Sequence, residues 1–386
     1  MINGYKVIDA DAHMQEPLDL WDKYVEPSFY DRRPIIKDHR YRLFFEYEPG
    51  ELYPAQAAGK DQMGRLRPTE ILERQPTKYG VAYEEWWSAE SRLQDMERYG
   101  WDKMVCLPGT GSQPLKLEDK DPDLMWALTR AYHNWAHDFC SADPSKLKMV
   151  ASIPSYDMEN TLIEFRRAVV DLGAVTVMMP KPPEGKFWHE EEYTPFWDLA
   201  IELDVPISFH GVQSGSPHTG KRYQGIPGTL IALEHAIGFP FENMISLGHL
   251  IYTGVLERYP NLRVSMLEGN AGWVPFWLGR LDDHASGRQA IFVIESQNPM
   301  TMLPSEYFKR QVFVACDGDE FALPGVVSLI GSDNLLWNTD YPHPDAPDPN
   351  KALPDFLNQP IPEESKRKIL WDNPARLYGE RVAADS

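Results

Sequence analysis

The stretch VIDADAH, residues 7–13, begins as an apolar run and ends in two aspartates and a histidine at alternate positions. Such an end is either an ordinary solvated turn or the rim of a site, and the rest of the chain decides between them. Val7-Ile8 is the first of eight short apolar, β-branched runs. The others are Lys103–Leu107 (KMVCL), Lys148–Ile153 (KMVASI), Val175–Met179 (VTVMM), Pro206–Phe209 (PISF), Arg263–Leu267 (RVSML), Val312–Ala315 (VFVA) and Leu335–Thr339 (LLWNT). Apolar at consecutive positions, they read as strands covered on both faces, as in a parallel sheet. Helical patterns separate them at Asp121–Phe139, Thr161–Leu172, Thr194–Leu203, Thr229–Ile237 and Thr253–Tyr259, and a last one follows at Pro362–Leu370. Several end on a breaker, as in LERYPNL and VDLGAV. Eight alternating β and α units predict an α/β fold, a closed (β/α)8 barrel of the TIM type.

Two stretches break this rhythm. The chain from residue 14 to residue 102 is too long for a simple βα connection. Residues 36–92 read as an insertion after strand one, a lid or oligomerisation arm within a single domain spanning 1–386. Inside it YRLFFEYEPGELY reads as a hairpin turning at Pro49-Gly50. The Gly/Ser/Pro-rich segment 211–228 reads as a loop at the barrel face where the fifth strand ends.

Composition narrows the classes. Of 386 residues 42% are apolar, enough for a large core. No stretch approaches the roughly 18 uninterrupted apolar residues of a membrane span. The opening MINGYKVIDAD lacks the basic region and apolar segment of a signal peptide, so a cytoplasmic location is expected. Cys106, Cys140 and Cys316 form no CxxC pair and read as buried core thiols. A formal net charge of −20 repels phosphate backbones and argues against nucleic acid as a partner.

In barrels of this kind chemistry sits where the strands end. Asp9, Asp11 and His13 stand at the end of the first strand, His210 at the fifth, Glu268 at the sixth and Asp340 at the eighth. Side chains alternate with a period of two, which predicts that Asp9, Asp11 and His13 share one face. Each residue alone is ordinary: a histidine after a strand is commonly a hydrogen-bonded turn residue, and Asp340 in TDYPHP is placed to cap a turn. Their coincidence at separate strand ends points to a metal site. Asp11, His13, His210 and Asp340 form a mixed N/O donor set for one divalent cation, zinc foremost, with manganese or iron also suited.

VIDADAHMQEP, ISFHG, GVLERYPNLRVSMLEGNAGWVPFWLGRLDDH and LLWNTDYPHPD together resemble the amidohydrolase-related family, also called aminocarboxymuconate-semialdehyde decarboxylase-like, from about residue 6 to about residue 378. The resemblance implies a distorted TIM barrel with one divalent metal. It also implies reactions on small, often aromatic, carboxylated or carbonyl substrates: nonoxidative decarboxylation, C–C bond hydrolysis, hydration or lactone hydrolysis. In such proteins the first strand supplies H-x-H or E-x-H, here Asp11 and His13. The third ligand falls on His210 and the strand-eight aspartate on Asp340. Family decarboxylases carry a catalytic histidine after strand six, where this chain has Glu268. Relatives of this kind also imply a homodimer.

Several roles stay open at this level. Glu268 is either the general base for a metal-bound water or a cap on the helix starting near Gly272. His249 is either a helix histidine or a catalytic substitute for the missing strand-six histidine. Glu16 either orients a ligand or begins a helix with Pro17. His218, Lys221 and Arg222 on the Gly-rich loop, with His343 and Asp345 after Asp340, are candidate pocket residues, a cation being suited to hold a substrate carboxylate. YEEWWSAESRL (83–93) reads as packing, with closure over an aromatic ligand as the alternative. The sequence thus predicts a metal-dependent hydrolase or lyase acting on a small organic acid, with Glu268 serving a metal-activated water. A decarboxylase and a non-catalytic ligand-binding barrel are the competing readings.

Overall fold

The computed structural model describes residues 4–37, 44–46, 75–109, 117, 120–179, 185–210, 231–292, 299–343 and 345–384. Eight parallel strands follow in sequence order around one sheet: β1 Ile8–His13, β2 Lys103–Leu107, β3 Leu147–Ser152, β4 Thr176–Met178, β5 Ile207–His210, β6 Val264–Leu267, β7 Val312–Asp317 and β8 Leu335–Asn338. Every run expected to be a strand is one. The sheet closes where β8 meets β1. Just beyond β8, the Asp340 amide donates to Asp11 O at 2.9 Å, and the His13 amide donates to Tyr341 O at 2.7 Å. The distorted (β/α)8 barrel is therefore the fold.

Helices cover the outside: α1 Ala89–Tyr99, α2 Pro122–Cys140, α3 Met158–Val170, α4 Thr194–Glu202, α5 Ile231–Tyr252, α6 Val274–Ser286, α7 Pro304–Gln311 and α8 Leu323–Ile330. α1 starts where the Ser88 hydroxyl accepts the Ser91 amide, and it stops at Gly100 in the left-handed region. It thus begins inside the stretch 36–92 expected to be inserted. The sequence pattern ends the helix after β5 at Ile237, yet α5 runs on through Pro240. Proline normally ends a helix by removing a donor. Here packing on both sides of it prevails: Phe239 meets the His210 ring edge-on, and Asn243 Nδ2 donates to Leu267 O at 2.9 Å.

Of the insertion, the described parts are an antiparallel ribbon, Ile35–Lys37 with Phe44–Glu46, and the short helices Gln75–Tyr79 and Val81–Glu84. Phe44–Glu46 pairs with the chain before it, and the expected turn at Pro49-Gly50 lies outside the described residues. All three cysteines are buried and free. Among the described residues no helix is long and apolar enough to cross a membrane.

The core has two layers. Ile8, Ala10, Val105, Leu107, Phe313, Ala315 and Leu336 fill the barrel, where Leu377, Tyr378 and Val382 of the C-terminal helices join them. Lys103, at the start of β2, donates to Val382 O and Ala384 O, so the C-terminal segment plugs the end of the barrel opposite the strand ends. Met104, Cys106, Met149, Met266, Val314 and Trp337 face the helices.

β1 breaks the alternation. Its register against β2 slips between Asp9 and Ala12, one extra residue on β1. Aligned residues of parallel neighbours share a face, so Asp9, aligned with Met104, turns outward, and His13, aligned with Leu107, turns inward. The expectation that Asp9, Asp11 and His13 share one face does not hold. Asp9 instead takes the Thr339 amide at 3.1 Å and the Thr339 hydroxyl at 2.5 Å.

Gly254 ends the turn after α5 at φ +76°, and a Cβ there would lie 2.3 Å from Pro299 Cγ. Gly254→Ala is expected to cost roughly 1–3 kcal/mol of stability, read as a lower urea midpoint at unchanged slope. A midpoint equal to that of the parent would contradict the close approach of this turn to Pro299.

Candidate metal centre

The slipped register of β1 delivers Asp11 and His13 into the mouth of the barrel, and β5 delivers His210 beside them. His13 Nε2 is the hub. It lies 3.3 Å from His210 Nε2, 3.3 Å from Asp340 Oδ1 and 3.4 Å from Asp11 Oδ1. Donor atoms about 2.0–2.2 Å from a shared ion stand at spacings of this order. Asp11, His13 and His210 form one compact donor group, and His13, Asp340 and His343 form another.

The imidazole orientation is set from behind. His13 Nδ1 faces Pro108 O at 2.9 Å. A carbonyl can only accept, so Nδ1 carries the proton and Nε2 offers its lone pair to the cavity. Glu16 supports this partner: its Oε1 accepts the Gly109 amide at 3.0 Å, the residue next to Pro108. Gly109 has no room for a side chain, since a Cβ would lie 2.5 Å from Met14 O. Glu16 therefore orients a site histidine through the main chain, rather than opening a helix.

Both Asp11 oxygens are buried and accept no hydrogen bond among the described residues. A carboxylate in that state is costly unless a cation meets it. The residues present fit a divalent ion: two imidazole nitrogens and two carboxylates gather around His13 Nε2, and no hydrogen-bond donor among the described residues serves Asp11 there. The charge distribution agrees. Burial pushes the Asp340 carboxyl well above the usual range, and the charge of Glu268 adds to it. Burial alone would lower His210, but the carboxylates of Glu268 and Asp11 outweigh it and lift the imidazole to about 9. Burial would likewise raise Asp11, yet the His13 contact and the charge of His210 hold it below its ordinary value.

Glu268 does not cap the helix but stands beside His210. Its Oε2 lies 2.7 Å from His210 Nε2, and its backbone takes φ +48°, a conformation few non-glycine residues adopt. The turn entering α6 is held by Glu320 instead, whose carboxylate accepts the Ala271 amide at 3.0 Å and the Gly272 amide at 2.6 Å. Burial pushes Glu320 up to about 7 despite those bonds. Asp340 also has positive φ, +54°. His343 stacks on His13 with ring centres 4.0 Å apart, and its Nδ1 lies 2.8 Å from Asp340 Oδ1. It thus stands against the cluster, with its side chain 29% exposed.

His249 lies elsewhere. On α5, it stacks on Phe187, and its Nε2 is 3.2 Å from His189 Nδ1. The adjoining Trp188 packs on Phe209, the strand residue that points away from the barrel interior where its neighbour His210 points in. This places His249 in the helical layer, not with the donor cluster. His218, Lys221 and Arg222 lie outside the described residues. Trp87 is buried and Trp86 Nε1 donates to Glu16 O at 2.9 Å, so the Trp pair packs beneath the site.

Sequence reasoning missed two contributors. Asp317 ends β7, accepts Asn338 Nδ2 at 3.0 Å and is pushed to about 6 by burial. Its signal was present, an aspartate directly after VFVAC. Arg92 donates through Nη2 to His13 O at 2.7 Å from a helix whose position the sequence did not reveal.

Fold and donor cluster define a (β/α)8 barrel with a candidate metal centre where its strands end. Residues 8–379 match the family described as Amidohydrolase, and the chain belongs to that family. It is similar to the 2-amino-3-carboxymuconate-6-semialdehyde decarboxylase of Dictyostelium discoideum, 26% identical over 76% of this chain and 77% of the relative. It is also similar to a gamma-resorcylate decarboxylase of a Polaromonas species, 25% identical over 77% of this chain and 92% of the relative. In fold it resembles the 5-carboxyvanillate decarboxylase of Novosphingobium aromaticivorans, crystallised with bound manganese and 3-methoxy-4-hydroxy-5-nitrobenzoic acid. The TM-score is 0.67 at 23% identity, covering 98% of each chain. The protein is thus an enzyme of the amidohydrolase family, and the non-catalytic barrel is set aside.

Burial, aided by the neighbouring His189, lowers His249 to about 4. The unfolded chain, with an ordinary histidine pKa of about 6.5, takes up this proton first on acidification. Stability is therefore lost as pH falls from about 6.5 toward 4, by as much as ~3 kcal/mol. His249→Gln should flatten that part of the urea-midpoint profile between pH 7 and pH 4.5. An unchanged acid slope would contradict the burial.

Proposed function

We propose that the protein is a metal-dependent, nonoxidative decarboxylase of a small hydroxylated aromatic acid. One observation carries the reading: the buried Asp11 carboxylate, without a hydrogen-bond partner among the described residues, lies among His13, His210 and Asp340 at the mouth of a barrel two of whose relatives are named decarboxylases. Asp11, His13, His210 and Asp340 hold one divalent ion, manganese or zinc. A bound ion of this kind supplies a Lewis acid for the substrate carboxylate and an adjacent oxygen.

The rest is the work of the chain. Asp11 and His13 sit on one strand with no side-chain freedom to spare, and their buried setting excludes water from the reacting carbon. Glu268 and His343 are the partly exposed acid–base groups flanking the donor cluster, with side chains 16% and 29% exposed. With substrate bound, a proton relayed from solvent through Glu268 Oε2 reaches the ring carbon bearing the carboxylate. The C–H bond forms, the C–C bond breaks with its electrons returning to the ring, and CO2 leaves. Solvent then reprotonates Glu268. The hydrolytic reading uses the same carboxylate as a base for water, but both relatives compared by sequence are decarboxylases.

A panel of ortho-hydroxybenzoates with the manganese-loaded enzyme in D2O tests this. CO2 release with one deuterium at the vacated ring position is expected, and Glu268→Gln should slow it roughly 10²- to 10⁴-fold. Hydrolysis of esters or lactones without CO2 release would replace this reading with the hydrolytic one. A second check concerns the ion. His210→Ala should lose most of the stoichiometric metal that the parent retains on dialysis, measured by elemental analysis, and equal content in both would remove His210 from the donor set.

A further inference from the structure

α1 presents two residues one turn apart, Arg92 and Asp95, to the back of the seam between β1 and β8. Arg92 is completely buried. Its Nη2 donates to His13 O at 2.7 Å, and its guanidinium lies over the Tyr341 ring, 4.4 Å from the centre. Among the described residues, Nη1 reaches the Met104 sulfur at 3.1 Å and Nε has no hydrogen-bond partner. Asp95 Oδ2 accepts the Tyr341 hydroxyl at 2.6 Å. One helix therefore grips the carbonyl of a site histidine on β1 and the ring and hydroxyl of the residue following Asp340.

A guanidinium buried with so few acceptors is expensive, and an apolar chain of similar length would fill the same space at lower cost. What the apolar chain would lack is the hold on His13 O. The seam it backs is the one closed by the Asp340–Asp11 and His13–Tyr341 main-chain hydrogen bonds. These are the residues whose spacing one ion requires.

We propose that Arg92 is a positioning residue for the metal centre: with Asp95 it clasps β1 to the end of β8 and holds His13 and Asp11 at fixed distance from Asp340. The proposal rests on the metal reading above and goes beyond it, since Arg92 touches neither ion nor substrate.

The test is Mn(II) affinity of the full chain, by competition with a chelator, for the parent, Arg92→Met, Arg92→Lys and a control. Phe165→Leu serves as control, because Phe165 is fully buried against Phe196 in the helical layer and destabilises without approaching the seam. Arg92→Met, folded by circular dichroism, should bind Mn(II) about 10- to 100-fold more weakly. Arg92→Lys, which keeps a cation within reach of the carbonyl, should recover part of that loss. Phe165→Leu should bind as the parent does at a comparably lowered melting temperature. Parent-like affinity in Arg92→Met overturns the proposal, as does an equal loss in Phe165→Leu. A parent that binds no Mn(II) overturns the metal reading, and this proposal with it. Should Arg92→Met fail to fold, Tyr341→Phe decides instead: it removes the Asp95 hydrogen bond but keeps the ring, weakened binding supports the clasp, and parent-like binding overturns it.

Discussion

Two main-chain hydrogen bonds close this barrel, and both are made by residues of the donor cluster or their immediate neighbours. A sheet of eight strands must join its last strand to its first to have no edge. Here the joint is the functional site. Because Asp11 and His13 spend their backbone groups on the seam, their side chains cannot drift without opening the barrel. The binding geometry is thus held by the same interactions that complete the fold, and the stability of the large core is brought to bear on the short spacings between Nε2 and Oδ1 atoms.

That arrangement has costs, and they are visible around the rim. The slipped register in β1 leaves Asp9 facing outward, where it is pushed up to about 8 by burial and needs both donors of Thr339. Glu268 and Asp340 sit at positive φ without being glycine. Strain of this kind persists only where the surroundings over-determine it. The supports are identifiable: Glu320 on the Ala271 and Gly272 amides, Glu16 on Gly109, and Tyr79 donating to His343 O at 2.7 Å. Each is a polar side chain used on the backbone next to a site residue, which is why the site is precise although several of its members end strands or sit on turns.

The strands were legible because a run buried on both faces leaves an unmistakable apolar signature. KMVCL, VFVA and LLWN could hardly be anything else. That Asp11, His13, His210 and Asp340 lie together was legible for a related reason: an ionisable residue directly after such a run has few structural explanations. What escaped notice depends on third-dimension detail. The extra residue in β1 has no composition signal, since IDADAH reads equally well as regular alternation. α1 was hidden by its polar sequence, AESRLQDMERY, whose buried Arg92 and Asp95 look like surface residues until the seam behind them is seen. The cap suggested for Glu268 is supplied by Glu320, which no linear reading places there because it reaches the Ala271 and Gly272 amides from beyond the end of β7.

The carboxylates at the mouth bear on which reaction this enzyme performs. Asp317 is pushed to about 6 and Glu320 to about 7, each chiefly by burial and then by neighbouring acids. A rim of this kind titrates close to neutral pH, where a carboxyl group both gains and loses a proton readily. Hydrolysis asks a carboxylate to remove a proton from water, whereas loss of CO2 from an aromatic acid asks a carboxylic acid to give one to carbon. Glu268 stands beside His210 with its side chain 16% exposed, at the edge of the cavity, where a carboxyl group can exchange a proton with solvent in either reaction. The same crowding of acids resists a further negative charge entering as substrate, so turnover of a carboxylate would depend on the cation that the buried Asp11 oxygens call for.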